Sequence, residues 1–176
     1  AQVVASQVEN ILDQSESLIN SLSYRYLKAS QSGAFAVNDY IQQVDNELYY
    51  FPLIARVAIA NAKGELIISA GQDTHNFVPK LISVADRDYF QAAVLDTNEG
   101  VFFAGPQVSR RSNEWTLFVG KRLVINEKFV GVFFLVIPVS NIKQIFTKID
   151  IGNSGVLSLR NQDFAQIARR PEPATE

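Results

Sequence analysis

The run Phe129-Val130-Gly131-Val132-Phe133-Phe134-Leu135-Val136-Ile137-Pro138 constrains this chain more than any other feature. It is about half the ~18–20 apolar residues that a bilayer-spanning helix needs. Its residues are β-branched and aromatic, which favours extended backbone. The polar turn Asn126-Glu127-Lys128 opens it and Pro138 closes it. A short, unbroken apolar run with those boundaries reads as a buried strand. Two further strands, at about 101–109 and 115–125, precede it after Gly100.

Upstream the texture is helical. Val4, Val8, Ile11, Leu12, Leu18, Ile19 and Leu22 recur at spacings of three and four among Ser, Gln, Asn and Glu, so the first 30 residues read as one helix. Such a helix is roughly 45 Å long at ~1.5 Å per residue. It has length enough both to pack along its own domain and to form a dimer with a second copy. Gly33 interrupts it, and Asn38 or Asp39 is placed to cap a second helix that ends before Pro52. A hairpin follows, with strands at 56–60 and 65–69 and a turn at Asn61-Ala62-Lys63-Gly64. After a polar stretch at 71–79, Asp86 is placed to cap a short helix over 87–95, with Asp88 in its first turn. Ser140 is placed to cap a last helix reaching about Lys148, and a final hairpin turns at Asn161-Gln162-Asp163.

Two strands, a helical insertion and three strands joined by short turns point to an α+β architecture and not to alternating parallel units. The order is PAS-like. It predicts a five-stranded antiparallel sheet flanked by helices, with the helices on one face and a long N-terminal helix. Three regions are expected: the N-terminal helices over 1–50, a PAS-like sheet domain over 51–150, and a terminal hairpin over 151–176. Ile59-Ala60-Asn61 resembles Leu159-Arg160-Asn161, so the last hairpin is also expected to open a second module that the chain cuts short.

Composition removes several function classes. Sixteen Lys and Arg stand against 18 Asp and Glu, a net charge of −2 that speaks against a nucleic-acid binder. No cysteine is present, which excludes thiolate zinc sites, disulfides and thiol catalysis. No methionine is present either, so an excised or processed fragment is expected. His75, the one histidine, lies in the polar segment Gln72-Asp73-Thr74-His75-Asn76 with no nucleophile beside it. No phosphate-cradling glycine loop or nucleophile elbow occurs. The fragment is therefore read as a non-enzyme, with neither cofactor nor metal.

Two clusters remain as a candidate ligand site. Arg87, Tyr89 and Phe90 sit in the short helical insertion, while Gln107, Ser109, Arg110, Trp115 and Lys121 lie along the strands. Aromatic walls with a few polar anchors are what small-ligand pockets contain. An arginine grips a carboxylate or phosphate through two parallel hydrogen bonds. Arg110 and Arg111 flank the turn Ser112-Asn113-Glu114, where a solvated role also fits them. Lys121 and Arg122 must point to opposite faces of a regular strand, so at most one of them faces the pocket.

Taken in order, the 56–69 hairpin, Asp86-Arg87-Asp88-Tyr89-Phe90, Gly105-Pro106 leading to Ser109-Arg110, the 115–122 strand, Phe129-Val130-Gly131-Val132 and the stretch from Gly152 to Leu159 resemble the Cache family. The closing Ala168-Arg169-Arg170-Pro171 belongs to the same pattern. These domains, also called PDC sensors, are PAS-like extracytoplasmic domains of bacterial receptors. The resemblance is strongest to sensors that precede diguanylate cyclase domains, with histidine kinases and chemoreceptors as other hosts. It implies a periplasmic part of an inner-membrane protein, held by membrane segments outside this chain and signalling to a cytoplasmic output. It also implies a homodimer along the N-terminal helix and a small-molecule ligand. By the same resemblance Arg87 matches a carboxylate-binding arginine, Tyr89 stands where amino-acid-binding members carry Trp, and Phe90 stands where they carry Tyr. Ser109 lies near the position of the acid that holds a ligand's amino group, so a small carboxylate or another neutral or anionic metabolite fits better than an amino acid. A structural dimerisation domain without a ligand is the alternative.

Overall fold

In the computed structural model, residues 2–33, 35–71, 82–95, 97–98, 100–152, 155–160 and 166–172 are described, with side chains of the first helix from residue 12 onward. His75, the turn Asn161-Gln162-Asp163 and nearly all of the polar stretch 71–79 lie outside them. The element order follows the periodicity: α1 (Gln2–Gln31), α2 (Val37–Leu48), β1 (Arg56–Asn61), β2 (Leu66–Gly71), α3 (Asp88–Leu95), β3 (Val101–Val108), β4 (Trp115–Ile125), β5 (Lys128–Pro138), α4 (Val139–Lys148), β6 (Leu157–Arg160) and β7 (Gln166–Arg170).

Five strands form an antiparallel sheet in the order β2-β1-β5-β4-β3. The apolar run lies at its centre. β5 pairs with β1 from Arg56↔Val136 to Asn61↔Gly131 and with β4 from Thr116↔Pro138 to Ile125↔Lys128. Residues 131–138 are buried throughout because helices cover both faces of this strand.

Side chains alternate across the sheet. Val57, Ile59, Phe133 and Leu135 face one side, where α1 lays Leu18, Ile19 and Leu22 and α2 lays Tyr40, Val44 and Leu48. Each fully buried aliphatic side chain contributes about 1.5–3 kcal/mol. Ala58, Phe134 and Val136 face the other side, under Tyr89, Phe90 and Ala93 of α3. Helices therefore lie on both faces, where one was expected. The reason is topological: β2 and β3 are opposite edges, so the chain between them has to cross the sheet, and α1 and α2 already occupy the other face.

None of the three expected side-chain caps is used. α2 begins at Val37 after Ala36, with no side-chain capping bond. An aromatic staple fixes its start instead, Phe35 packing on Tyr40 with centroids 5.7 Å apart. α4 begins at Val139 directly out of β5, so Pro138 with its φ of −59° takes the cap position and Ser140 falls in the first turn. α3 begins at Asp88, and Asp86 is committed to Arg110.

The β1–β2 turn is as the sequence suggests. Asn61 Oδ1 accepts from the Lys63 and Glu65 amides at 2.9 and 3.1 Å, and Gly64 takes φ +78°. A side chain on Gly64 would strike Ala85 at 2.6 Å, because residues 82–85 lie against this turn through Val84 N–H to Gly64 O at 2.8 Å. The β6–β7 hairpin packs on α4 through Phe146, Leu157 and Ala168. Arg170 fastens it by donating to the carbonyls of Phe146, Thr147 and Ile149 at the end of α4.

Candidate functional site

On the α3 side of the sheet a cavity of ≈ 40 Å³ opens between β1, β2, β5, α3, residues 82–84 and the β3–β4 turn. Its origin is a mismatch of size. Ala58 is paired with Ser69 on one side and Phe134 on the other, so β1 and β2 present small groups where β4 and β5 present Phe118 and Phe134. The space holds about three waters at roughly 10–15 Å³ each.

One wall is aromatic. Tyr89 stacks on Phe118 at 4.6 Å and meets Phe134 edge-on at 5.2 Å. Burial pushes the Tyr89 phenol up to about 12, so it is a neutral donor at ordinary pH. Its hydroxyl has no hydrogen-bond partner among the described residues.

The other wall is cationic. Arg56, Arg110 and Arg111 all line the cavity, and no carboxylate does among the described residues. Arg56 is 5% exposed at the head of β1. Arg111 donates to Ser69 Oγ at 3.4 Å. Ser109 is buried, and its Oγ accepts from the Arg111 and Ser112 amides, both at 3.3 Å, which holds the turn in shape. Arg110 reaches across the mouth to the Ser83 carbonyl and to both oxygens of Asp86, at 2.7 and 2.5 Å. The hydrogen bond from Arg110 holds the Asp86 carboxyl below its usual range and raises the guanidinium in turn.

Of the eight residues singled out in the sequence, Tyr89, Ser109 and Arg110 meet at this cavity. Arg87 stands at the mouth, where its Nη2 donates to the Val108 carbonyl at 3.0 Å. The other four lie elsewhere. Phe90 packs toward Phe129 at 6.2 Å, further along α3. Gln107 pairs with Thr116 in the sheet, and Trp115 is 59% exposed at the start of β4. Lys121 is on the opposite face, its Nζ donating to Asn20 Oδ1 of α1 at 2.5 Å. Arg122 does lie on the α3 side, but at the far end of α3. There it donates to the Ala93 and Val94 carbonyls and sits 4.7 Å over the Phe129 ring.

Sequence reasoning passed over Arg56 and Ser69 and gave Arg111 a solvated role as readily as a buried one. Arg56 did leave a signal. It shares the parity of Ala58 and Ala60, so a regular β1 turns it toward the same face as those two buried residues.

A family model described as Cache domain matches residues 1–168. Solved structures share the fold. The ligand-binding domain of the Campylobacter jejuni chemoreceptor Tlp3, in complex with 4-methylisoleucine, aligns with TM-score 0.75 and 14% identity over 99% of this chain and 70% of that one. A domain of a Vibrio parahaemolyticus protein assigned to the sensory box/GGDEF family gives TM-score 0.73 and 18% identity over 95% and 68%. The extracellular domain of a protein assigned as the histidine kinase rpHK1S-Z16 gives TM-score 0.62 and 21% identity over 96% and 73%. No curated protein matches the chain. Among the described residues no helix is long and apolar enough to cross a membrane.

Proposed function

Because this chain belongs to the Cache domain family, whose members are ligand-binding and non-catalytic sensors, we propose that it senses a small carboxylate for a bacterial transmembrane receptor. The observation that carries the reading is the composition of the cavity wall: Arg56, Arg110 and Arg111 beside the Tyr89 phenol, with no acid in the lining among the described residues. An anion gains most from guanidinium groups in partly desolvated surroundings. Among the described residues of the lining, the charged groups that a ligand's ammonium would meet are all cationic. Tlp3 structures with 4-methylisoleucine and L-valine hold amino acids, and the proposed ligand differs from those at its amino end. The proposed contacts are Arg56, Tyr89, Ser109, Arg110 and Arg111, with Arg87 at the mouth.

The receptor's context belongs to the same proposal. It places the domain in the periplasm, with a homodimer along α1 and a diguanylate cyclase as output. Likeness to the domain of the sensory box/GGDEF protein supports the last of these. Signalling requires the ligand to bind one conformation better than another.

The test is a thermal-shift and calorimetric screen of short monocarboxylates against their 2-amino counterparts. A carboxylate should raise Tm in proportion to the logarithm of its concentration above Kd, and Arg56→Gln should remove that rise. If no carboxylate shifts Tm, the domain serves as a ligand-free dimerisation element and the sensing proposal fails. If the shift survives in Arg56→Gln, the cavity is not where the ligand binds.

A further inference from the structure

We infer that Asp86 is a built-in stand-in for the ligand's carboxylate, and that the ligand binds by exchanging with it on Arg110. This rests on the carboxylate-sensing reading above and deepens it to a mechanism of binding.

The geometry is that of a recognition event already made. Each Nη of Arg110 meets one oxygen of Asp86, at 2.7 and 2.5 Å, in the planar fork that guanidinium and carboxylate share. The same guanidinium lines the cavity, so a carboxylate entering it would find its fork occupied. The occupant is held from the wet side. Asp86 is 67% exposed and Arg110 39%, and exposed ion pairs contribute little net stability. A carboxylate on the inner side would instead lie among Arg56, Arg111 and the Tyr89 hydroxyl, where charges interact more strongly than in open solvent. Exchange is therefore cheap on one side and rewarded on the other.

Exchange also has a mechanical consequence. Two arginines tie the walls of the mouth together in opposite directions. Arg110 reaches from the β3–β4 turn to Ser83 and Asp86, while Arg87 reaches from residues 82–87 back to Val108. Residues 83–87 run straight into α3, which carries Tyr89. Losing Asp86 from Arg110 keeps the bonds from Arg110 to Ser83 and from Arg87 to Val108, so the freedom gained is local to residues 86 and 87, at the entry to α3. A shift there would reach α3, and it would enlarge a cavity that has room for only about three waters.

The test is a calorimetric titration of propionate and of L-alanine, its 2-amino derivative, into wild type, Asp86→Asn, Arg110→Gln and the double variant. Hydrogen exchange of residues 83–87 is followed alongside. As an internal competitor, Asp86 predicts that Asp86→Asn tightens propionate binding at least fivefold and that the gain vanishes with Arg110→Gln. Exchange at 83–87 in unliganded Asp86→Asn should approach that of wild type saturated with propionate. Propionate binding that is unchanged or weaker in Asp86→Asn overturns the inference and leaves the sensing proposal standing. L-alanine binding that weakens in Asp86→Asn overturns it in favour of Asp86 as an ammonium holder. If neither probe binds wild type or Asp86→Asn, the carboxylate reading itself fails and this inference fails with it.

Discussion

On one face of the sheet, α1 and α2 lay Leu18, Ile19, Leu22 and Val44 against Ile59, Phe133 and Leu135. On the other face the eight residues of α3 are the only helix among the described residues, and Ala58, Ser69, Phe118 and Phe134 are left around a cavity. The same strands build both faces by alternation, so the strands do not decide which face is core and which is site. What decides is the cover: long amphipathic helices seal one side, and a short insertion with three arginines at its border leaves the other hollow. Buried polar groups follow the same division. Tyr40 on the sealed side donates to the Leu22 carbonyl at 3.0 Å, and Lys121 there is bonded to Asn20. Tyr89 on the hollow side lines the cavity, and its hydroxyl has no hydrogen-bond partner among the described residues.

Matched substitutions on the two faces put this comparison at risk. The largest difference is expected from Ala70→Val and Ala58→Val, neighbours on the paired strands β2 and β1 that face opposite ways. Ala70 is fully enclosed, and added methyls should overpack it at a cost of about 2 kcal/mol in urea unfolding. Ala58 borders the cavity, so Ala58→Val should stay within roughly 0.5 kcal/mol while weakening carboxylate binding tenfold or more. Equal costs would mean that the two faces are packed alike. Next in size is Tyr40→Phe, which deletes a buried hydrogen bond and should cost about 1 kcal/mol. The smallest stability effect at neutral pH belongs to Tyr89→Phe, expected within about 0.5 kcal/mol of wild type, with its loss read in ligand affinity. A Tyr89→Phe variant as destabilised as Tyr40→Phe would show that the hydroxyl serves the fold.

The two phenols also sharpen the comparison in alkali. Burial raises both, Tyr89 from 10.0 to about 12 and Tyr40 further. A raised phenol favours the folded, protonated state, so its contribution is complete below pH 10 and is lost as pH climbs through about 12. Urea midpoints at pH 9 and pH 11 should therefore fall more for wild type than for Tyr89→Phe. Equal falls would place the Tyr89 hydroxyl in solvent.

Much of the fold was legible. The 129–138 run gave the central strand, the three-and-four spacing of Leu18, Ile19 and Leu22 gave the buried stripe of α1, and Asn61 with Gly64 gave the first turn. The caps were not legible. Asp86, Asn38, Asp39 and Ser140 all have the right chemistry, but those starts were settled otherwise. Asp86 is held by Arg110, distant in sequence, α2 starts on the local Phe35–Tyr40 staple, and α4 runs directly out of β5 at Pro138. The site was half legible for the same reason. Tyr89, Ser109 and Arg110 sit at a short helix and beside a turn, where aromatic and polar groups stand out in the sequence, and were found. Arg56 and Ser69 come from the first hairpin and reach the cavity only through sheet pairing.

Strand alternation shows where the sequence stops and tertiary structure begins. By itself the sequence determined that Lys121 and Arg122 point to opposite faces, because successive side chains on a strand do so whatever surrounds them. It could not say which face is which. That was decided when α1 took one side and brought Asn20 to Lys121, and when the β2–β3 crossing took the other and brought the carbonyls of α3 to Arg122. Alternation is local covalent geometry, whereas the identity of a face depends on which segment covers it.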